Sequence, residues 1–304
     1  MTGRASSASL ILKRTPVDVG EWPQRRYPPR GVRLRADARG SDCGIRKKLA
    51  KGITSPPLAM MDLVGGGAYM SAMCGRIIQS GGPLRYAIVD GMNARDSRVH
   101  NYPPRWNGAP SQELLVIRRN HRSGEVSLDP LRWGLIPNWC SDPHGGRKPI
   151  NAKCETVRDL PTFRDAYRSR RCIVPVDGFF EWKAIKGQKA KQPYAIAMKG
   201  GTPFGIAGVW ENWKQPASGE WIRTFAIITT DANELVADIH DRMPVILAPA
   251  DYTRWLGDER DPREVMRPFP ADLMRMWPIS TRVNKPENDD ATIVEPIELT
   301  PSAA

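Results

Sequence analysis

Short apolar runs separated by turn residues constrain the fold of this chain more than any other feature of its sequence. Five such runs lie at 114–117, 172–176, 194–198, 204–209 and 224–230. Runs of this length, bounded by Gly, Pro, Asn or Asp, are typical of β-strands. No internal repeat accompanies them. The runs therefore predict a single β-rich domain.

Three further segments, 161–167, 231–238 and 249–256, carry helix signals. Pro161 stands near the first turn of the first segment, where proline is tolerated. Asp231 opens the second, with Glu234 three residues later, which is the arrangement of a capping box. A few short helices among many short strands predict an α+β domain with a curved, mostly antiparallel β core and peripheral helices.

The first 72 residues differ from the rest of the chain in composition and charge. They hold 13 Lys/Arg and 5 Asp/Glu, a net charge of +8, whereas the remaining 232 residues hold 32 and 28, a net charge of +4. They show no sustained hydrophobic period, so we expect 1–72 to be a disordered leader. Met60, Met61, Met70 and Met73 offer later starts. The leader is therefore either an over-extended translation start, which we favour, or a propeptide.

Charge and cysteine content narrow the class of protein. The net charge of +12 invites a nucleic-acid partner, but the body holds only +4 of it and supports one weakly. Five cysteines without a CxxC pair or a secretory signal predict reduced thiols in a cytoplasmic protein. The histidines do not fall at ligand spacing beside them, so no zinc site is expected. No apolar run approaches the length of a membrane span.

Cys74, which follows Met73, has special chemistry only as the first residue of a chain. An N-terminal cysteine is a 1,2-aminothiol: its amine condenses with an aldehyde to a Schiff base, and its thiol then closes a thiazolidine ring on the same carbon. The reference pKa of an α-amino group, about 7.7–8.0, leaves part of it unprotonated at neutral pH. Inside a chain the same nitrogen is an unreactive amide. A lone cysteine is most often a small buried thiol, and spacing alone favours that interpretation.

Three polar residues each admit two interpretations. Asn151 can hold an amine or an oxyanion through its amide, or it is an ordinary turn residue. Glu181 lies between Phe180 and Trp182, which would raise its carboxyl pKa, but strand alternation can also turn it outward. His240 suits a proton shuttle, or it is a helix-end residue that interacts with the helix dipole.

Charged and aromatic side chains near these segments are candidates for DNA contacts. Lys153 and Arg242 can contact phosphate. Trp139 precedes a Gly-containing loop, where an aromatic ring can be exposed for base stacking. The alternative is that the cations are solvated and that the tryptophan belongs to the core.

The order of the motifs, rather than any one of them, resembles the SOS-response-associated peptidase (SRAP) family. The resemblance is carried by MCGR (73–76), NGAPSQ (107–112), RWGLIPNW (132–139), INAKCET (150–156), FRDAYRSRRCIVPVDGFFEW (163–182), HDRMPVIL (240–247) and RVNKPENDD (282–290). These motifs form one colinear series over about residues 73–298, and residues 1–72 have no counterpart. We therefore expect a single SRAP domain at 73–298 and a short tail at 299–304.

Members of this family recognise abasic sites in single-stranded DNA and trap the ring-opened sugar aldehyde as a thiazolidine on an N-terminal cysteine. The resemblance implies that Cys74 is this nucleophile and that Asn151 positions the amine and the sugar. It implies that Glu181 is an acid/base group beside the amine. It also implies that His240 helps to open the deoxyribose ring and can promote reversal.

The resemblance extends to DNA contacts. It implies that Arg76 and Arg242 contact phosphate and that Trp139 lies near the DNA. Lys153 is a departure, because many members carry Arg there. Lys keeps the charge but loses the bidentate fork, so phosphate affinity is expected to fall modestly. The family name reflects an inferred autoproteolysis that would expose the cysteine.

The resulting prediction is a cytoplasmic, monomeric abasic-site sensor that cross-links to single-stranded DNA and is nucleoid-associated when bound. No metal, organic cofactor or membrane is expected to take part. Two alternatives stay open. One is a cysteine peptidase that uses the thiol of Cys74, with His240 as base and Asn151 as orienter. The other is a non-catalytic single-strand binder.

Overall fold

A computed structural model describes residues 74–90, 92, 99, 101–120, 122–141, 148–187 and 189–299 of the 304-residue chain. The predicted leader at 1–72 lies outside these residues, as do positions 300–304 of the predicted tail. None of the helices within the described ranges has the length and apolar character that a membrane crossing requires.

Strands outnumber helices in the described part of the chain, which forms thirteen strands and three short α-helices. In chain order they are β1 (Ile77–Gln79), β2 (Arg105–Gly108), β3 (Glu113–Arg119), β4 (Val126–Trp133), β5 (Asn151–Lys153), α1 (Arg164–Ser169), β6 (Arg171–Val176), β7 (Gly178–Lys183), β8 (Gln192–Met198), β9 (Phe204–Lys214), β10 (Trp221–Asp231), α2 (Glu234–Ala237), β11 (Arg242–Pro244), β12 (Ile246–Leu247), α3 (Tyr252–Leu256) and β13 (Met274–Pro278). This composition confirms the predicted α+β class.

The smaller sheet is antiparallel and has the strand order β13-β8-β7-β1-β2. Side chains of a strand alternate between its faces, so Phe180 and Trp182 of β7 share one face and Glu181 takes the other. Phe180 and Trp182 pack in a small apolar cluster with Ile78 of β1. The smaller sheet therefore separates Glu181 from its two aromatic neighbours.

The larger sheet closes on itself. Its path runs β11-β10-β4-β3-β6-β9-β12, and β10 also pairs with β9, so that β10, β4, β3, β6 and β9 form a ring. Most pairs are antiparallel, but β4 and β5 both run parallel to β10. Closure removes unpaired edges from the five ring strands. The predicted curved, mostly antiparallel core is confirmed, with two parallel pairings added.

Branched apolar side chains form the main core. Leu115 and Ile117 of β3, two residues apart, are fully buried in one cluster with Ile173 of β6 and Ile228 of β10. Trp255 of α3 belongs to the same cluster. Each buried side chain of this size contributes about 1.5–3 kcal/mol to the free energy of unfolding. The short, continuously apolar runs thus produce the core.

Gln79 at the end of β1 ties the two sheets together. Its Nε2 donates to the carbonyl oxygens of Leu115 (2.8 Å) and Pro175 (2.7 Å), and its Oε1 accepts from the Leu115 amide at 2.9 Å. The side chain is fully buried and fully paired, which is the condition for a polar group in the interior. It fixes β1, which follows Cys74, against the ring.

The second predicted helix begins at a different residue. α2 starts at Glu234, and its N-cap is Asn233, whose Oδ1 accepts from the Val236 amide at 3.0 Å. The predicted capping box at Asp231 was therefore wrong. Asp231 is the last residue of β10 and pairs with Arg242 of β11, which binds its carboxylate at 2.9 Å. The other two helix segments contain α1, which starts three residues later than Pro161, and α3.

Candidate active site

Cys74 and Glu181 are in direct contact. Cys74 lies three residues before the start of β1, and its backbone nitrogen donates to Oε1 of Glu181 on neighbouring β7 at 2.7 Å. Both residues are buried, with 0% and 2% of their surfaces exposed. The φ angle of Cys74 is +39°, a left-handed conformation that non-glycine residues rarely adopt. The fold therefore places the carboxyl group of Glu181 against the backbone nitrogen of Cys74. This nitrogen is a reactive amine only when Cys74 is the first residue of the chain.

The carboxyl group of Glu181 titrates near neutral pH. Burial raises its pKa to about 7, against the opposing effects of the Cys74 amide and the positive charge of Lys191. The two interpretations of Glu181 are thus resolved: it points inward. The aromatic rings of its neighbours lie on the opposite face of β7, so the pKa is raised by burial of the carboxyl group itself.

The thiol of Cys74 is held in its protonated form. Burial raises its pKa well above the ordinary value, and the negative charge of Glu181 raises it further. A thiol with a raised pKa is a poor nucleophile on its own, because the thiolate is the reactive species. The environment favours chemistry at the nitrogen before chemistry at the sulfur.

His240 lies between α2 and β11, with its ring half-buried. Its Nδ1 accepts from the Arg242 amide at 3.1 Å and lies 2.9 Å from Oδ1 of Asp241. Burial lowers the pKa of the imidazole; Lys191 lowers it further, and Asp241 raises it. When Nδ1 is unprotonated, it can accept a hydrogen bond from the Arg242 amide. When Nδ1 is protonated, it can donate to the carboxylate of Asp241. Both protonation states of the ring are therefore supported.

Two charged residues connect His240 with Glu181. The positive charge of Lys191 lowers the pKa of both groups, and the negative charge of Asp241 raises both, in each case after the larger effect of burial. Cys74, Glu181 and His240 therefore share one electrostatic environment. Lys191 and Asp241 are not among the site residues predicted from the sequence. Asp241 adjoins His240 in HDRMPVIL, but Lys191 lies in a lysine-containing loop with no motif to mark it.

Asn151 and Lys153 bound the short strand β5. Asn151 lies opposite Ile227 of β10, and Lys153 lies opposite Thr229. Thr229 also pairs with Pro244 of β11, the strand that follows His240. β10 therefore brings the INAKCET and HDRMPVIL segments together. Lys153 is exposed. The roles of both residues in the reaction stay predictions.

Arg242 is buried and held by two carboxylates. Its Nη2 donates to Glu155 at 2.9 Å and to the carbonyl oxygen of Thr229 at 2.9 Å, and its Nη1 donates to Asp231 at 2.9 Å. These contacts raise its pKa and offset its charge. Through these contacts Arg242 links its own strand, β11, to β10 and to Glu155. Its predicted phosphate contact stays a prediction.

Arg76, by contrast, is held by neutral acceptors. Its Nη1 donates to Oδ1 of Asn107 at 2.8 Å and to the carbonyl oxygen of Val283 at 2.6 Å, and its Nη2 donates to the carbonyl oxygen of Asn284 at 3.1 Å. Its guanidinium carbon lies 6.0 Å from the centroid of the Trp182 ring. Burial lowers its pKa, which the charge of Glu287 partly offsets. Among the described residues, no carboxylate bonds directly to this guanidinium, which lies two residues from Cys74.

Residues 283–289 complete this side of the site. Asn107 donates through Nδ2 to the carbonyl oxygens of Val283 (3.1 Å), Lys285 (3.1 Å) and Asn288 (2.9 Å). Trp182, next to Glu181, donates through Nε1 to Oδ1 of Asn284 at 2.7 Å. The C-terminal motif RVNKPENDD is thus bound to both β2 and β7. Sequence analysis assigned it no role, although the polar residues of NGAPSQ and RVNKPENDD were the available signal.

Trp139 is exposed, with 63% of its surface accessible. It lies in the loop between β4 and β5, of which 142–147 are outside the described residues. Trp213 fixes the loop by donating through Nε1 to the carbonyl oxygen of Cys140 at 2.6 Å. The exposed ring suits the predicted contact with DNA, which stays a prediction. Among the described residues, no cluster of His, Cys, Asp or Glu is arranged to hold a metal ion.

Comparisons with known proteins identify relatives of the chain. The family model described as "SOS response associated peptidase (SRAP)" matches residues 73–286. Abasic site processing protein YoqW of Bacillus subtilis (strain 168) is 42% identical over 198 residues, covering 64% of this chain and 87% of the relative. Abasic site processing protein HMCES of Gallus gallus is 32% identical over 266 residues, covering 75% and 79%.

A solved structure has a similar fold. The crystal structure of a protein from Bacteroides thetaiotaomicron superposes with a TM-score of 0.66 at 26% sequence identity, covering 74% of this chain and 100% of that chain.

Proposed function

Because the chain belongs to the SOS response associated peptidase (SRAP) family, we propose that it processes abasic sites in DNA and captures them covalently on Cys74. The names of its relatives YoqW and HMCES support the abasic-site substrate. The observation that carries the covalent step is the 2.7 Å hydrogen bond from the Cys74 nitrogen to Glu181. If the bond before Cys74 is absent, this contact places a carboxyl group within proton-transfer distance of the α-amine.

The reaction joins the aminothiol to the ring-opened sugar of the lesion. The Cys74 amine adds to the C1′ aldehyde, and loss of one water molecule leaves a protonated imine. The thiol of Cys74 then adds to the same carbon and its proton is transferred to a base. The product is a five-membered thiazolidine, in which C1′ is bonded to both nitrogen and sulfur. No oxidant or reductant is needed.

Glu181 is suited to move the protons of the first step. With a pKa of about 7 it is divided between its acid and base forms at neutral pH, which is the condition for efficient general acid–base catalysis. As a base it deprotonates the ammonium of Cys74. As an acid it protonates the hydroxyl group that leaves as water. The protonated thiol adds after the imine has formed.

His240 and Asn151 are assigned to the sugar. The lowered pKa of His240 keeps a neutral imidazole available at physiological pH, which can accept the C1′ hydroxyl proton as the deoxyribose ring opens. Asn151, at the start of β5, is assigned to hold the amine and the sugar through its amide. Arg76, Trp139, Lys153 and Arg242 are assigned to the phosphates and bases of a single strand.

The mechanism requires that the bond before Cys74 be absent. Translation from Met73 followed by methionine removal is one route, and autoproteolysis is the other. The left-handed φ of +39° at Cys74 places backbone strain of about 1–3 kcal/mol at the residue that follows this bond. Glu181 could protonate the departing nitrogen. N-terminal sequencing of natively expressed protein distinguishes a processed chain from an intact one.

The test uses protein whose first residue is Cys74 and single-stranded DNA with one abasic site. We expect an adduct that survives denaturing electrophoresis and whose intact mass equals protein plus DNA minus one water. The Cys74→Ala variant is the matched control and should form no such adduct. Failure of the first protein to form the adduct, or formation of the same adduct by the control, would show that the thiazolidine proposal is wrong.

A thiol-dependent peptidase is the second candidate, and the family's name favours it. It would use Cys74 through sulfur alone, with His240 as base. The raised pKa of the Cys74 thiol and the lowered pKa of the His240 imidazole disfavour a thiolate–imidazolium pair. If the protein is such a peptidase, a chain with its leader intact would be active. If the thiazolidine proposal holds, the same chain would form no adduct with abasic DNA. A simple binder would instead keep its DNA affinity after Cys74→Ala.

A further inference from the structure

A groove of about 450 Å³ lies where the β9–β10 hairpin meets β3 and the end of β4. The proposed chemistry uses none of its side chains. Its lining includes the exposed Trp221 and five charged residues, which are Glu113, Arg132, Lys148, Glu220 and Arg223. The groove therefore combines an exposed aromatic ring, Trp221, and a buried one, Trp213, with charged groups of both signs.

Trp221 gives the groove an aromatic surface. Its side chain is 57% exposed, although a tryptophan of a folded protein usually buries most of its area. It opens β10 opposite Lys214, whose ammonium lies 5.7 Å from the ring centroid. The hairpin register and this cation–π contact hold the ring in place. A fixed, exposed indole is a surface on which a planar group can stack.

Three cations line the groove together with that ring. Arg132, the penultimate residue of β4, pairs with Thr224 of β10 and with Glu113 of β3. Arg132, Arg223 and Lys148 are exposed. Glu113 and Glu220 are the carboxylates of the lining, so cations exceed anions by three to two. The chemistry fits a ligand with planar rings and regularly spaced negative charges better than it fits a cation.

β10 connects this groove with the predicted DNA contacts. β4 and β5 pair with the same edge of β10, Trp133 at Phe225 and Asn151 at Ile227. The loop that carries Trp139 leaves and returns between these two points. Arg223 precedes Ile227 by four residues, about 13 Å at the usual rise of a strand. Groove, Trp139 loop and β5 therefore follow one another along a single strand edge, at a spacing that a few extended nucleotides cover.

We propose that the groove binds single-stranded DNA flanking the lesion, with one base stacked on Trp221 and backbone phosphates at Arg132 and Arg223. Aromatic stacking combined with a cationic track is how single strands are bound without sequence preference. This inference rests on the proposed function, because the lesion fixes which nucleotides reach the groove. It adds a binding site outside the Cys74 chemistry.

The test measures binding of the full chain to DNA that contains a tetrahydrofuran analogue of the abasic site. The analogue has no aldehyde, so affinity is read without cross-linking. A short oligonucleotide that covers only the lesion is compared with oligonucleotides extended on the 5′ or the 3′ side. We expect Trp221→Ala to weaken binding of one of the two extended oligonucleotides by ~10-fold and to leave binding of the short oligonucleotide unchanged. Trp221→Phe, which keeps an aromatic ring, should restore the affinity for the extended oligonucleotide.

Arg132→Gln tests the phosphate contact, with Arg254→Gln on α3 as a charge-matched control. Arg132→Gln should reduce the slope of log affinity against log salt by about 0.7 on the same extended oligonucleotide, and Arg254→Gln should not. Equal affinity of Trp221→Ala and the unaltered chain on both extensions would overturn the proposal. So would a loss on the short oligonucleotide alone, or a Trp221-dependent binding of acidic peptide with DNA binding unchanged. The adduct assay at Cys74 reports on the proposed function separately.

Discussion

At the scale of single residues, Glu181 combines deep burial with a pKa near neutrality. Its folded-state pKa of about 7 lies above the ordinary value of 4.5, so the native state holds a proton that the unfolded state releases more readily. The group contributes stability that is fully present below its unfolded pKa and is lost as the pH rises toward 7. The buried carboxyl group of Glu181 is therefore a source of pH-dependent stability.

Glu181→Gln should remove this dependence. The amide keeps an acceptor for the Cys74 nitrogen but has no charge to bury. We expect the free energy of unfolding of the unaltered protein to fall, relative to the variant, by on the order of 3 kcal/mol between about pH 4.5 and 7. Urea denaturation at several pH values measures it. Parallel pH profiles of the two proteins would contradict the raised pKa.

The same variant should lose catalytic rate. General acid–base catalysis contributes about 10²–10⁴-fold, so Glu181→Gln with a free Cys74 should cross-link abasic DNA at least ~100-fold more slowly at neutral pH. Its affinity for DNA that contains the tetrahydrofuran analogue should be unchanged, which separates chemistry from binding. An unchanged cross-linking rate would exclude Glu181 as the proton-transfer group.

Replacement of the sulfur separates the two bond-forming steps. Cys74→Ser, as the first residue, keeps the amine and loses the thiol, so we expect it to form an imine that hydrolyses. Mass spectrometry should detect an adduct of this variant only after reduction with borohydride, whereas Cys74 protein needs no reductant. A stable adduct of the serine variant without reduction would mean that ring closure through sulfur does not hold the DNA.

At the scale of elements, residues 283–289 hold the N-terminal side of the site. Asn107→Ala removes three hydrogen bonds to their carbonyl oxygens and one acceptor of Arg76. Unsatisfied buried groups cost about 1–3 kcal/mol each, so we expect a lower Tm and slower cross-linking. Asn120→Ala, in an exposed turn, is the matched control. Equal Tm values for the two variants would show that this segment is held by other contacts.

The elements that the sequence predicted are those with uninterrupted apolar runs. β3, β6, β8, β9 and β10 each contain a predicted strand. β4 was missed because Asp129 and Pro130 resemble a turn. In the structure Pro130 pairs opposite Leu115, and Asp129 is buried beside Arg118 at 2.8 Å. A buried ion pair made between strands is a tertiary contact, which a local pattern does not contain.

The sequence named candidate members of the site but not the contacts between them. The series of motifs indicated Cys74, Glu181 and His240 through resemblance, whereas residue chemistry alone left each with an unreactive alternative. Cys74 and Glu181 are 107 residues apart and meet because β1 pairs with β7. Strand pairing at this separation has no signature in one sequence. Lys191, which acts on both titrating groups, was missed for the same reason.

At the scale of the whole molecule, the proposed chemistry makes activity depend on the state of the N-terminus. We expect a full chain that keeps the bond before Cys74 to bind abasic DNA and to form no covalent adduct, because its nitrogen is an amide. Protein that begins at Cys74 should form the adduct. Intact-mass analysis of both after incubation with the same DNA measures it. Adduct formation by a chain proven to be intact would overturn the requirement for a free amine.

The loop between β4 and β5 has a consequence for how this architecture can be altered. The loop begins after Trp133 of β4, which lies opposite Phe225 of β10, and ends before Asn151 of β5, which lies opposite Ile227. Its two ends are therefore nearly adjacent along β10. A segment anchored in this way can change in length or composition without shifting the register of any strand. The loop with Trp139 is therefore an exchangeable module. Its replacement would retune which DNA shapes are accepted while the reactive centre stays in place.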